Sequence, residues 1–496
     1  MDAIALAAGL VFRVDVLVTL LLASAFGLFV GAIPGLTATM AMALLVPLTF
    51  FMDPIPAVGA MVTASAMAIF AGDIPSTLLR IPGTPASAAY TEEAYRMTLK
   101  GEAETAMAAN LLFSAFGGLV GTAVLILTAP YLAEIALKFS APEYFWMATL
   151  GLTCAAFIGS GRPVKGILSL LIGLLVATVG LDNPAAVPRF TFGSTELLGG
   201  VDFIAAMIGL FAISEVLRNA TQGMASQTLP QVRLGNPLRG WGPMFRKYWP
   251  QQVQGNVVGV AVGALPGAGA DLAAWIAYAV SRRLSKHPEK YGTGNLEGIV
   301  AAGSANNSAL GSAWVPALVF GIPGDTITAI VIGVLFLHGL NPGPTLFIFQ
   351  PENIYAVFII FILANILMVP LGYAAIMMSR PILKMPRRVL MPLILAFCVV
   401  GAFASNNAVF NVGVMLAFGV LGFFMEENGI PLAPCILGIV LGGMVEDNFI
   451  TTMIRNDGNL LAFFERPIAA GLGVATLLIW SSPLILGLLR RRRAAA

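Results

Sequence analysis

Long stretches without a single Asp, Glu, Lys or Arg constrain this chain more than any motif in it. Val16 to Met52, Pro54 to Gly72, Thr105 to Ala133, Tyr144 to Gly161, Gly298 to Gly324, Asn353 to Ser379, Val389 to Met425 and Pro467 to Leu489 are all charge-free. A helix crosses a bilayer with about 20 apolar residues, so such runs predict an all-α polytopic membrane protein with about 10 to 14 transmembrane helices. Composition agrees. Of 496 residues, 58% are apolar and 10% charged, with a mean hydropathy of +0.87. Soluble domains carry roughly 25% charged residues, which excludes an ordinary soluble enzyme. The net charge of +2 gives no reason to expect a nucleic-acid partner.

Cys154, Cys398 and Cys435 lie in apolar runs without metal-ligand spacing and read as buried small hydrophobes; no metal site or organic cofactor is expected. The N-terminus lacks a basic leader region, so the first apolar run is expected to remain as a span. Arg218 to Pro250 is weakly hydrophobic and basic, with no acidic residue. Short basic loops stay on the cytoplasmic side. The chain therefore divides into a membrane half at 1–217, a basic cytoplasmic linker at 218–250 and a second membrane half at 251–496. The same rule puts Arg490 to Arg493, and with them the C-terminus, in the cytoplasm.

Gly and Pro are abundant, at 53 and 31, and irregular backbone is tolerated within a membrane only where protein buries it or it lines a cavity. Two Pro-Gly motifs recur in the same order. Gly31-Ala32-Ile33-Pro34-Gly35 is matched by Gly263-Ala264-Leu265-Pro266-Gly267, and Ile81-Pro82-Gly83-Thr84 by Ile322-Pro323-Gly324-Asp325. Between the motifs the first half has the acidic turn Phe51-Met52-Asp53-Pro54, which reads as external. The second half has the basic loop from Arg282 to Lys290, which reads as cytoplasmic. Opposed sidedness of corresponding elements predicts two inverted-topology repeats, with broken helices or re-entrant hairpins meeting at a midplane site.

Breaks of this kind free backbone amides, and a helix restarting after one offers its positive end to an anion. The substrate site is therefore expected at Pro34, Gly35, Thr37, Pro82, Gly83, Thr84, Pro266, Gly267, Pro323 and Gly324. Arg80 joins them because its planar fork suits a carboxylate, the alternative being a structural pair with Asp73. Asn306 and Asn307, adjacent inside an apolar run, read as substrate donors, cation ligands or interhelical glue. Asp73, Asp271 and Asp325 lie beside the breaks and are the candidates for coupling an ion, Asp73 first. His287 reads as solvated and His338 as structural at a helix end.

Taken together, GAIPGLTATMAMALLVPLTF (31–50), IPGTPASAAYTEEAY (81–95), APEYF (141–145), RFTFG (189–193), GALPGAGADLAAW (263–275), ANNSA (305–309), LVFGIPGD (318–325) and LHGLNPGP (337–344) resemble the large membrane subunit of the tripartite tricarboxylate transporters. The resemblance implies bacterial inner-membrane uptake of a small di- or tricarboxylate coupled to Na⁺ or H⁺. A periplasmic substrate-binding protein and a small membrane subunit would be the partners. The chain departs from the family pattern at Ala71-Gly72-Asp73, at Arg80 where asparagine is usual, and at Ala302-Gly303-Ser304, where a glutamate is usual at the third position. Rival readings are an intramembrane aspartyl-protease-like enzyme and a passive anion channel. Gly324-Asp325 offers the first only a partial motif, and opposed hairpins are not explained by a simple pore.

Overall fold

The computed structural model of the chain describes residues 2–33, 36–157, 163–181, 187–221, 240–379, 383 and 387–495. These residues form an all-α membrane protein; an isolated two-residue bridge between Gly180 and Arg189 is the β-type pairing recorded among them. Seven helices are long and apolar enough to cross a bilayer, and shorter apolar helices pack among them.

Two hairpins organise the centre. In the first half α1 (Asp2–Val11) leads into α2 (Val14–Ala32), which stops before the first Pro-Gly break. The chain then restarts as α3 (Ala38–Thr49) with Thr37 as its N-cap. Arg13 at the foot of α2 lies 3.6 Å from Asp53 just beyond α3, so both legs open at the same end. α4 (Pro54–Ala71) then runs through the interior, and α5 (Asp73–Leu79) continues it to Arg80. α6 (Thr91–Leu99) and the 34-residue α7 (Ala103–Ala136) complete this unit. α8 (Ala141–Phe157), α9 (Pro163–Ala177), α10 (Phe203–Ile208) and, after a π-type turn, α11 (Ser214–Thr221) end the first half. Most of the basic linker, 222–239, lies outside the described residues.

The second half opens on another hairpin. α12 (Trp241–Gly263) and α13 (Gly269–Leu284) make a hairpin around the second Pro-Gly break, and α14 (Leu296–Phe320) is the long interior helix. α15 (Thr326–Leu337), α16 (Pro344–Phe349) and α17 (Pro351–Met377) follow. α18 (Arg387–Asn406), α19 (Val409–Glu427), α20 (Ala433–Arg455) and α21 (Pro467–Ala495) close the chain.

Each hairpin seats on its interior helix through glycine. A Cβ at Gly27 or Gly31 of α2 would lie 2.4 Å from the carbonyl oxygens of Ala64 and Ala68 on α4. A Cβ at Gly259 or Gly263 of α12 would lie 2.4 and 2.5 Å from those of Ala305 and Ala309 on α14. Gly259 and Gly263 stand 232 positions after Gly27 and Gly31, and Ala305 and Ala309 stand 241 after Ala64 and Ala68. Those are also the spacings of the two Pro-Gly motifs. Small-residue stripes let backbones approach where the bilayer offers no hydrophobic drive for helix association.

The halves are also joined at one rim. Glu93 of α6 is fully buried, and its carboxylate accepts from the backbone N–H groups of Gly292, Gly294 (2.8 Å) and Asn295 (2.7 Å) and from the Tyr278 hydroxyl (2.9 Å). Gly292 and Gly294 have φ of 86° and 96°, which turns successive amides toward one point. The three cysteines are buried and unpaired, and His338 caps the end of α15.

Candidate functional site

Four chain breaks converge on one small space with about 30 Å³ open to water. The first half contributes Thr37, Ala38 and Thr39 from the start of α3, and Thr84 and Pro85 from the segment after the Pro82-Gly83 break. From the second half come Ala270 and Asp271 at the start of α13, Asn306 of α14, and Asp325 and Thr326 at the start of α15. Ile69 and Ile327 supply apolar walls. The space has room for about one or two water molecules.

Local sequence explains the convergence. Proline cannot continue a helix and glycine accepts the tight returns, so each interior helix ends and the chain restarts facing the centre. α3, α13 and α15 all begin at the cavity, and their aligned amides direct partial positive charge into it. Thr37 accepts from the Met40 amide, 3.2 Å. Asp325 accepts from the Thr328 amide at 2.8 Å, and the Thr328 hydroxyl accepts from the Asp325 amide, a reciprocal cap.

Contacts between the halves line this space. Thr39 Oγ1 and Thr326 Oγ1 are 3.2 Å apart, the Ala86 amide donates to Asp271 Oδ1 at 3.0 Å, and Trp275 Nε1 donates to the Pro85 carbonyl at 3.1 Å. The polar lining is thus four threonines, one asparagine and two aspartates. No Arg, Lys or His is among the described lining residues.

Several expected residues take other places. Arg80 does not reach the cavity. It is left-handed (φ 59°) at the end of α5, its side chain is 59% exposed, and it pairs with Glu92 at 2.8 Å rather than with Asp73. Glu92 also accepts from Arg96 at 2.7 Å; that hydrogen bond first, and then the Arg80 and Arg96 charges, hold its carboxyl below the usual range. The reading of Arg80 as a substrate ligand is corrected accordingly. The helix ends one residue before Arg80, which turns it outward into the rim. Arg80→Ala is expected to leave substrate affinity within about twofold, since surface pairs contribute about 0–1 kcal/mol; a saturation curve of substrate binding checks it.

Asp73 is buried, but it faces the Tyr90 hydroxyl at 2.5 Å and does not line the cavity. Tyr90 in turn meets the Asn306 side chain, so Asp73 reaches the cavity only through two other residues. Asn307 does not line it either. One residue on a helix turns about 100°; Asn306 faces the cavity, and the buried Asn307 has its Nδ2 3.5 Å from the Gly303 carbonyl of its own helix. Gly83 packs on the Gly72 backbone, Gly267 (φ 78°) on Ala155 of α8, Pro266 on Gly151, and Gly324 on Ala313. These shape the breaks; their neighbours Thr84 and Asp325 face inward. Pro323 precedes Gly324 and is likewise absent from the lining. Pro34 and Gly35 lie outside the described residues. Sequence reasoning missed Thr39, Thr326, Pro85 and Tyr90; only proximity to the breaks could have signalled the first three. The Ser304 hydroxyl donates to Gln252 Oε1 at 2.6 Å.

Comparison with known proteins gives a consistent outcome. The model of the Tripartite tricarboxylate transporter TctA family matches residues 17–437. A protein of Agrobacterium vitis, described as an uncharacterized 52.8 kDa protein in the TAR-I ttuC' 3' region, is 34% identical over 464 residues, covering 92% of each chain. A second from the same organism, an uncharacterized protein in the TAR-II ttuC' 3' region, is 34% identical over 230 residues, 46% of this chain and 95% of that one. No solved structure matches. The family is one of transporters and not of enzymes, and its tripartite organisation brings a substrate-binding protein and a small subunit to this membrane component. The chain belongs to the tripartite tricarboxylate transporter TctA family.

Proposed function

We propose that this chain carries a small di- or tricarboxylate into the cell across the bacterial inner membrane, by secondary active transport coupled to Na⁺ or H⁺. It receives the substrate from a periplasmic binding protein, and its C-terminus is cytoplasmic. One observation carries the reading: three helix starts aim at a cavity that also holds Asp271 and Asp325 and no cationic side chain among its described lining. Helix N-termini suit a carboxylate. Two nearby carboxylates repel it, and like charges in a poorly hydrated space interact strongly. A substrate dianion therefore binds there only when cations or protons accompany it, which makes coupling a condition of binding. Asp271 and Asp325 rank ahead of Asp73 for this role, because they line the cavity.

The inverted-repeat arrangement of residues 1–217 and 251–496 is part of this proposal. Its support is the recurrence of the Gly–Ala contacts and the placing of both sets of breaks at one cavity. Substrate and coupling ions then meet where the repeats meet.

The test uses vesicles containing this chain with its small subunit, preloaded with unlabelled succinate, malate or citrate. Labelled external substrate of the matching kind is expected to enter transiently above its equilibrium level, and a Na⁺ or H⁺ gradient to drive lasting accumulation. Entry that merely equilibrates under every gradient indicates a passive channel and rejects the proposal.

A further inference from the structure

Behind the cavity wall Asp73, Tyr90 and Asn306 stand in a row. Asp73 opens α5, Tyr90 immediately precedes α6, and Asn306 lies midway along α14. They are 2%, 0% and 2% exposed. The Tyr90 hydroxyl donates to Asp73 Oδ1 at 2.5 Å, and the Asn306 side chain is hydrogen-bonded to the same hydroxyl. Of the three, Asn306 alone lines the cavity.

The segment that carries Tyr90 is fixed by its own bonds. The Thr84 amide donates to Ser87 Oγ at 3.0 Å, the Ser87 amide to Thr84 Oγ1 at 3.1 Å, and the Thr91 hydroxyl to the Ser87 carbonyl at 2.8 Å. The Ala86 amide, donating to Asp271, ties the same turn to α13. Tyr90 is thus held between α5 and α14.

Counting donors then gives the row a direction. A phenol has one O–H. Tyr90 gives it to Asp73, so it has only lone pairs to offer Asn306, and the carboxamide meets them with Nδ2. We propose that Asp73 and Tyr90 are positioning residues, which hold the Asn306 carboxamide with Nδ2 toward Tyr90 and Oδ1 toward the cavity.

This deepens the transport reading and rests on it, because it says which part of a substrate each wall reads. The starts of α3, α13 and α15 present amides, which suit carboxylates. The neutral Asn306 oxygen is an acceptor and suits a substrate hydroxyl. A site built to hydrogen-bond a hydroxyl discriminates against the analogue that lacks it, because its buried acceptor is left unpaired. The space as it stands takes a water or two, so substrate enters only as the helix starts part. Tyr90 and Asp73 lie outside that space and keep the direction of the carboxamide while it opens.

The experiment measures binding to the purified full-length chain of malate against succinate, and of citrate against tricarballylate, pairs that differ by one hydroxyl. Wild type is expected to prefer the hydroxylated member of the pair it binds by at least about tenfold. Tyr90→Phe removes only the phenolic hydroxyl. Asp73→Ala leaves the Tyr90 O–H free to donate to Asn306 Oδ1, which turns Nδ2 inward. Both are expected to bring the preference to within about threefold of unity, chiefly by weaker binding of the hydroxylated member. Asp73→Asn still offers Tyr90 an oxygen and is expected to keep the wild-type preference.

A purely structural Asp73–Tyr90 pair would weaken both members alike. An unchanged ratio in folded Tyr90→Phe and Asp73→Ala therefore overturns the inference, as does a wild type that shows no preference or binds none of the four. Equal loss of preference in Asp73→Asn and Asp73→Ala would show that the charge matters and not the acceptor, and overturns it too. Exchange in vesicles separates the two readings: a hydroxyl preference in binding that follows this pattern, without any exchange, removes the transport reading and leaves the positioning role in place.

Discussion

Asp271→Asn and Asp325→Asn are each expected to lower concentrative uptake by at least a hundredfold while substrate exchange persists within about tenfold. Both replacements keep the local geometry. The carboxamide introduced by Asp271→Asn would still present an oxygen to the Ala86 amide, now 3.0 Å from Asp271 Oδ1. The one introduced by Asp325→Asn would still cap α15, because asparagine is among the best N-cap residues. What disappears is negative charge beside the bound substrate. A buried unpaired carboxylate is destabilising by several kcal/mol, and an accompanying cation relieves it. Once the charge is gone the substrate binds without its cation, so an ion gradient no longer pushes it. The measurement is the steady-state ratio of internal to external labelled carboxylate under an imposed gradient, alongside the exchange rate at zero gradient. Wild-type accumulation in both variants would place coupling elsewhere, with Asp73 next.

The second large effect concerns packing. Gly263→Val is expected to abolish recovery of folded protein, and Gly31→Val to do the same from the other half. A Cβ at Gly263 would stand 2.5 Å from the Ala309 oxygen and 2.7 Å from its Cα; at Gly31 the distances to Ala68 are 2.4 and 2.7 Å. Both obstacles are backbone, which cannot rotate away. Overpacking commonly costs about 1–3 kcal/mol, and valine adds two further methyls to a helix pair already in contact. Gly413, on α19, has nothing within 4 Å of its would-be Cβ. There Gly413→Ala is expected to be neutral or stabilising by up to about 1 kcal/mol. Monodisperse yield and thermal unfolding of the three variants in detergent compare them directly; equal stability of Gly263→Val and wild type would show that α12 and α14 can separate.

Charge-free length made the membrane class legible, because no other solvent accepts such runs, and paired Pro-Gly motifs located the breaks. The same motifs misled about which atoms face the cavity. Pro266, Gly267, Gly83 and Gly324 are spent on packing the turn, and the residues just after each turn point inward. Asp271 and Asp325 were readable because each follows a break directly. Asp73 ranked above them on the strength of its hairpin, but a buried tyrosine stands between it and the cavity, and Tyr90 carries no local signal of that contact. Arg80 failed for a local reason: a left-handed residue at a helix end turns the side chain away from the axis that sequence spacing assumes.

Glu93 sets a condition on how the protein is made. Its carboxylate is enclosed by amides of residues 292, 294 and 295, about two hundred residues further along. While the ribosome is still translating the first half, those donors do not exist. A carboxylate without them cannot leave water cheaply. α6 therefore stays at the aqueous surface during early insertion and moves to its buried place only when the loop after α13 has emerged, so that closure of this rim is a late, whole-chain event in biogenesis.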